Sequence, residues 1–536
     1  MKLFGIISQK IDGLKTKNAF ELQNRQNLPV ERFDNDGLLI HYTQRCFDTV
    51  MTRMGLELVD PNGIQFICNF IDGRYELSMD YFGLSKIYYC QYDEEFIFSS
   101  EIKSIIEYVG RDNLTPNKVF LQQMFVFGFP IHTSAMFEEI ENLPVGFKIS
   151  VKPDTGDFEL GQYNFVNYRE TLPIKELYEE LCHSFPEDSH TKFLWLSGGL
   201  DSRVILEILA KKFDSIDIIT NFGHKGTMNR KYASEVINKR DDVTSTFVYE
   251  VTPEMIVNNA KEHLWISEGM SGHLNAHILA TLKHFAHIPD LCIYDGFAGD
   301  IILGANHYNK VKYDFTIASL ELFTNKEFLK YIHLPLPLSD IRNYCSTDLV
   351  SEIGLELFYH NNYSRNVLAS GGIGIGKEFG KVIYPFANWN FFEHCMNISI
   401  EKRKNHSFYK KFLRKVFPQI DTHDSTSLRT KSIEYKIQTI LRKHVFKNLK
   451  DSNASYVTPG VWFKESTLYR NFVEDLIQKT SQYTAEYFDF VQINRMNKHK
   501  DINHLVKLVN FSLMFQLFYE WDNKGVRKKT LNKNES

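Results

Sequence analysis

Residues 193–206 read F-L-W-L-S-G-G-L-D-S-R-V-I-L. An apolar run stops at Ser197, two glycines follow, and an acid and a hydroxyl stand before a second apolar run. Backbone N–H groups around Gly198 and Gly199 can point at an anion. A helix start adds its dipole, worth roughly 0.3–1 kcal/mol and up to ~2 kcal/mol where partly buried. That is modest against the charge of a polyphosphate, so such a loop also needs a metal ion and further donors. Asp201 can ligate Mg2+, and Ser197 and Ser202 can donate to phosphate oxygens. The loop lacks the lysine of G-x-x-x-x-G-K-[ST], the pattern that holds the β- and γ-phosphates for γ-phosphoryl transfer. The competing reading is a glycine turn with no ligand, and six residues of these types in this setting speak against it.

Other segments carry weaker signals. Y-D-G-F-A-G-D-I-I-L-G-A-N, 294–306, begins where a strand ends, so Asp300 falls on the same sheet edge as Asp201 and could share its Mg2+. Alone, an aspartate beside a helix start is usually a cap. G-G-I-G-I-G-K-E, 371–378, is nearly a phosphate loop, but Glu378 stands where Mg2+ wants a hydroxyl. Gly380 and Pro385 follow too closely for a long helix, so a flexible active-site loop is expected, with Lys377 able to approach a phosphate or carboxylate. Glu268 and His273 could face a substrate, although a core or surface histidine is the default. A basic amphipathic stretch, 435–450, could meet an acidic leader or a membrane surface; a solvated face is the default.

These residues need a scaffold. Phe193 to Leu196 are continuously apolar, as a strand buried on both faces requires, and residues 203–213 have helical spacing. The glycines therefore sit at a strand-to-helix turn, on the carboxyl edge where α/β sheets bind ligands. From about residue 170, strands near 192–196, 215–220, 245–251 and 291–294 alternate with helices, which predicts a parallel, doubly wound sheet. Beyond about 310 the pattern is mainly helical. Residues 1 to about 165 read mostly as strand, with hairpins at 87–100 and 147–163 and a helix starting at Thr115-Pro116.

Composition narrows the classes. The chain has 536 residues, is 43% hydrophobic and 24% charged, and carries a formal net charge of -4, so nothing points to nucleic acid as a partner. The seven scattered cysteines include no C-x-x-C pair, so neither a zinc site nor a disulfide framework is suggested, and a cytoplasmic setting is expected. The start is too short in apolar residues for a signal peptide. The least polar long segment, 504–519, contains Lys507, Asn510 and Gln516 and reads as a buried helix rather than a transmembrane segment.

S-G-G-L-D-S at 197–202 resembles the pyrophosphate loop of the N-type ATP pyrophosphatases, in which a substrate oxygen attacks the α-phosphorus of ATP. The segment 294–306, with Gly296, Asp300 and Gly304 on a G-x-x-x-D-x-x-x-G skeleton, is similar to its counterpart in the asparagine synthetase family. So are M-D-Y-F-G-L-S-K-I-Y-Y, F-S-S-E-I-K-S-I and F-E-E-I-E-N-L-P-V-G in the front half, Y-P-F-A-N at 384–388 and R-T-K at 429–431. The resemblance implies an α+β Ntn-hydrolase-like sandwich over 1–168. An α/β doubly wound, adenine nucleotide α-hydrolase-like synthetase domain with a helical C-terminal part follows over 169–525, and a polar tail over 526–536. It implies ATP and Mg2+ as cofactors, held by Leu196, Ser197, Gly198, Gly199, Leu200, Asp201, Ser202 and Gly296, with Asp201 and Asp300 as metal ligands. Asp300 and Lys431 take catalytic roles, the lysine near the α-phosphate.

Departures from the family redirect the expected chemistry. Lys2 stands where glutamine-dependent members need the cysteine nucleophile, so no glutaminase activity is expected. Phe297 replaces a glutamate of asparagine-forming members and can line an apolar pocket; Asn229 and Asn388 replace acids. The expected activity is ATP-dependent adenylation of a carboxylate (on a small molecule, sugar acid or peptide) followed by amide formation. The amine would be ammonia, one supplied through a separate glutaminase, or one on the substrate itself, as in lasso-peptide and β-lactam cyclases. A leader-peptide-binding partner and a homodimer are compatible with this, and a nucleotide-binding scaffold without catalysis is the rival of another class.

Overall fold

The computed structural model describes residues 3–7, 30–35, 38–43, 48–52, 55–59, 64–69, 74–79, 83–131, 133–152, 156–162, 171–185, 192–223, 228–238, 240–288, 291–304, 374–420, 459–481 and 502–519. Single positions 356, 360, 362, 365, 366, 371, 489 and 493 are also described. Lys2, Lys431, the basic stretch at 435–450 and the tail lie outside them.

Twelve strands of the front part form two six-stranded sheets. They are β1 (Leu3–Ile7), β2 (Val30–Asn35), β3 (Leu38–Thr43), β4 (Asp48–Thr52), β5 (Gly55–Val59), β6 (Ile64–Asn69), β7 (Arg74–Met79), β8 (Tyr88–Tyr92), β9 (Glu95–Ser99), β10 (Glu141–Asn142), β11 (Phe147–Val151) and β12 (Phe158–Gln162). One sheet runs β10-β8-β9-β1-β3-β2, the other β12-β11-β7-β6-β5-β4, and the pairings in both are antiparallel.

Side chains alternate faces along a strand, and β1 shows what that achieves. Leu3 and Ile7 join Leu77 and Ile149 in the core between the two sheets. Phe4 and Ile6 point the other way, into a cluster with Ile105, Phe120, Leu264 and Leu508. The first sheet is therefore covered on both faces: by its partner sheet, and by helices Ile102–Val109, Lys118–Val126, Pro253–Ile266 and Ile502–Phe518. The last of these is the apolar 504–519 segment, buried as expected. No helix among the described residues is long and apolar enough to cross a membrane. The Lys118–Val126 helix starts later than the Thr115-Pro116 signal suggests. Asn117 is its cap, accepting from the Val119 and Phe120 amides, while Pro116 bridges to Phe137.

The second sheet system is five-stranded and wholly parallel, in the order β15 (Val243–Glu250), β14 (Ile216–Phe222), β13 (Lys192–Trp195), β16 (Cys292–Tyr294), β17 (Lys381–Ile383). The chain winds outward from β13 to β15, then returns and winds the other way through β16 and β17. The reversal leaves a crevice between the carboxyl ends of β13 and β16, where open α/β sheets bind ligands. β17 is missing from the sequence reading, because three residues at a sheet edge carry no periodicity. Leu194, Leu196, Ile205, Ile218, Leu279 and Tyr294 fill the core around the sheet.

Candidate active site

Both segments singled out for chemistry begin where this sheet's ladder ends. The Leu196 amide still donates to the Ile219 carbonyl at 2.8 Å, and the Asp295 amide to the Ile383 carbonyl at 3.0 Å. After Leu196 the chain turns through Ser197, Gly198 and Gly199 into a helix spanning Leu200–Lys212. That helix starts at Leu200, not Arg203. Gly199 takes the extended cap conformation, and Leu200, 3% exposed, anchors the first turn in the core. The consequence is functional: Asp201 and Ser202 are first-turn residues, beside amides that no intrahelical carbonyl satisfies.

The hydroxyls hold the loop's shape. Ser202 Oγ accepts from the Ser197 amide at 3.1 Å and lies 3.2 Å from Ser197 Oγ, which accepts from the Gly199 amide at 3.1 Å.

The second segment docks against the first. The Asp300 amide, in the first turn of the Gly299–Gly304 helix, donates to Asp201 Oδ2 at 3.2 Å. Close approach explains the glycines. A Cβ on Gly296 would lie 3.0 Å from both Asp201 Cβ and the Ser202 amide nitrogen, and one on Gly299 would lie 2.7 Å from Asp201 Cγ. A Cβ on Gly304 would collide with the His406 imidazole. Ala298, between them, has a φ of 70°. A non-glycine residue in that region costs about 1–3 kcal/mol, and such strain clusters at functional sites.

Three contributors escape the sequence reading. Tyr409 donates to Asp201 Oδ1 at 2.6 Å from a helix 208 residues downstream; no local pattern announces so distant a partner. Asp295 lies inside the quoted motif but looks like an ordinary turn acid; its Oδ1 accepts from the Phe297 amide at 2.8 Å. Arg403, 1% exposed, pairs with Glu356 through two bonds of 2.6 Å and donates to the Ile302 carbonyl at 3.0 Å, tying down the helix that carries Asp300.

The electrostatics are one-sided. Asp201, Asp295 and Asp300 line a cavity of about 720 Å3 together with Ser197, Ser202 and Asn275. Burial first, and the charge of Asp300 second, push the Asp201 carboxyl well above its usual range, against the bonds from Tyr409 and the Asp300 amide. Burial raises Asp295 to about 6. His277, also in the wall, is 7% exposed and held below its ordinary value by burial. No described residue lining the cavity is a lysine or arginine. Among the described residues no three His, Cys, Asp or Glu side chains form a cluster that could hold a metal. A divalent ion held by one or two carboxylates and completed by phosphate oxygens and water is the habit of Mg2+.

Other expectations resolve differently. His273 is a core histidine, bonded to Asn510 and Tyr469 and outside the cavity wall. Asn388 caps the Trp389–Met396 helix, accepting from the Phe391 amide at 3.1 Å. Asn229 lies in the Met228–Ile237 helix, its side chain outside the described set. Of the 371–378 segment, Gly374–Gly376 form a short helical turn and Gly376 reaches the cavity wall. Lys377 does not turn toward the site: its ammonium donates to Ser85 Oγ at 2.5 Å, at the junction with the front sandwich.

That junction buries a second charged cluster. The Lys103 ammonium pairs with Glu101 at 2.6 Å, and the Lys103 amide lies 3.4 Å from Glu268 Oε1. Arg365 donates to Asn142 and the Leu143 carbonyl, each at 2.8 Å. Burial lowers Lys86 to about 7, with Glu268 opposing the shift.

No family model matches the chain. It is similar over 142 residues to asparagine synthetase [glutamine-hydrolyzing] 1 of Bacillus subtilis, at 28% identity, covering 25% of this chain and 22% of the relative. It is also similar over 189 residues to asparagine synthetase [glutamine-hydrolyzing] 2 of the same organism, at 24% identity, covering 30% and 25%. The chain thus matches about a quarter of the length of these relatives, a distant similarity to asparagine synthetases. Among solved structures it aligns with glutamine phosphoribosylpyrophosphate amidotransferase from B. subtilis (8% identity, 47% of this chain, 81% of that one, TM-score 0.22). A second alignment is with an allosteric regulatory enzyme of purine biosynthesis (9%, 48%, 81%, TM-score 0.21).

Proposed function

We propose that the chain is an ATP-dependent amide ligase that adenylates a carboxylate. The observation that carries this reading is the meeting of Asp201 and Asp300 through an amide-to-carboxylate bond in the crevice between β13 and β16. The charge of Asp300 acts on Asp201, and carboxylates drawn together in this way are costly without a cation. First-turn amides suit phosphate oxygens, and the Ser197 and Ser202 hydroxyls, bonded within the turn rather than free to donate to phosphate, hold the shape that presents them. The donor set therefore suits Mg2+-bound pyrophosphate, with Asp201 and Asp300 as the metal-holding residues and Leu196 to Ser202 and Gly296 around the phosphates.

In the proposed reaction a substrate carboxylate oxygen attacks the α-phosphorus and pyrophosphate leaves. An amine then attacks the acyl carbon and loses a proton as AMP leaves. Mg2+, when bound, neutralises the departing pyrophosphate. The amine is free ammonia, ammonia from a separate protein, or an amine on the substrate itself. Lys431 is assigned to the α-phosphate from the R-T-K match alone.

Exchange of labelled pyrophosphate into ATP, dependent on an added acid, tests the reading. Asp201→Ala should abolish exchange; persistence of exchange in that variant would sink the assignment.

A further inference from the structure

Resting on that reading, we infer that the acid adenylated here is a monocarboxylic acid with an apolar body, recognised by Phe297 and Tyr384. The phosphates are assigned to the turn after β13, so a substrate acid approaches from one flank of that turn. The flank formed by the ends of β16 and β17 is walled by Phe297, Ala298, Ile301, Val382 and Tyr384. Phe297 and Tyr384 meet edge to face, centroids 5.9 Å apart at 81°. Their backbones are anchored: the Phe297 amide is bonded to Asp295, and Tyr384 follows β17 directly. This is a preformed apolar wall of the kind that selects ligands by shape.

Charge gives the second argument. The ionisable groups in the described wall are three aspartates, Tyr384, and a histidine that burial holds below its ordinary value. In the described wall a second carboxylate on the substrate would face Asp201, Asp295 and Asp300. Lys377, next to the wall residue Gly376, is committed to Ser85 and the Leu84 carbonyl. An unpaired charge in such a site is strongly disfavoured. Dicarboxylic amino acids are thus selected against, and a single carboxylate on an aromatic or aliphatic body is selected for.

The test is acid-dependent ATP–pyrophosphate exchange on the full chain, comparing 3-phenylpropionate, 4-methylpentanoate and hexanoate with aspartate, glutamate and succinate. Mg·ATP binding is measured in parallel by calorimetry. The apolar monoacids should show kcat/KM at least tenfold above the dicarboxylic acids. Phe297→Ala should raise the KM of the preferred acid at least tenfold and leave the KM of ATP within about twofold. Exchange led by aspartate, glutamate or succinate overturns this inference and leaves the ligase reading standing. A Phe297→Ala variant that moves the KM of ATP instead assigns the aromatic wall to adenine and also overturns it. No exchange with any of the six acids overturns this inference; failure to bind Mg·ATP as well removes the ligase reading with it.

Discussion

At the carboxyl edge of the parallel sheet, Asp201, Asp295 and Asp300 line one cavity, and no lysine or arginine stands among its described walls. At the junction with the front sandwich, Glu101 and Glu268 are buried, and Lys86, Lys103 and Arg365 surround them. Both clusters are built around carboxylates of the same chain. In the first, the described wall gathers carboxylates at a strand-to-helix crevice; in the second, cations stand beside the carboxylates. Carboxylates gathered in a crevice suit an incoming cation, whereas a paired cluster suits a seam between packed elements.

Four experiments break or sharpen this contrast. Asp201→Asn should cost exchange activity at least a thousandfold, about 4 kcal/mol of transition-state stabilisation, yet leave the Tm of the ligand-free protein no lower, since it removes a carboxylate the fold pushes toward neutrality. A lower Tm would make the aspartate structural. Lys103→Met should do the opposite. It leaves two buried glutamates without their nearest cation and should cost about 3–5 kcal/mol in urea unfolding, while exchange per folded molecule changes less than about threefold. Lost exchange at full stability would place the seam inside the active site.

The clusters should also differ in pH dependence. Asp295 is raised to about 6 from 3.8. Its contribution is fully present below about pH 4 and is lost as the pH rises through 6, a fall of at most about 3 kcal/mol. Lys86 is lowered to about 7 from 10.5. The unfolded chain binds its proton more readily between those values, so stability should rise from pH 7 toward 10. Asp295→Asn should flatten the first slope and Lys86→Met the second, read from Tm against pH without ligand. The smallest effect is expected from Tyr409→Phe, which removes one hydrogen bond to a carboxylate. A loss of about 1.5–3 kcal/mol corresponds to a rise of roughly 10- to 150-fold in the KM of Mg·ATP; an unchanged KM would make that bond incidental.

What was legible beforehand follows from range. The S-G-G-L-D-S turn, its flanking strand and helix, and the position of Asp300 are local patterns, and the structure brings them together. Asn117 displaced Thr115 as a cap because two amides fall within reach of its side chain, a matter of turn geometry that composition does not encode. Tyr409 and the Arg403–Glu356 pair act across the fold, and no spacing rule links them to Asp201 or Asp300. Lys377 misled for the same reason: its partners, Ser85 and Leu84, lie 292 and 293 residues away.

The bond from Tyr409 to Asp201 also sets a timetable. During synthesis the S-G-G-L-D-S turn leaves the ribosome 208 residues ahead of the hydroxyl that steadies it. At about 5–20 residues per second, the nascent chain passes roughly 10–40 s with its acidic pocket unfinished, so the complete crevice should arise late in translation rather than when the sheet first forms.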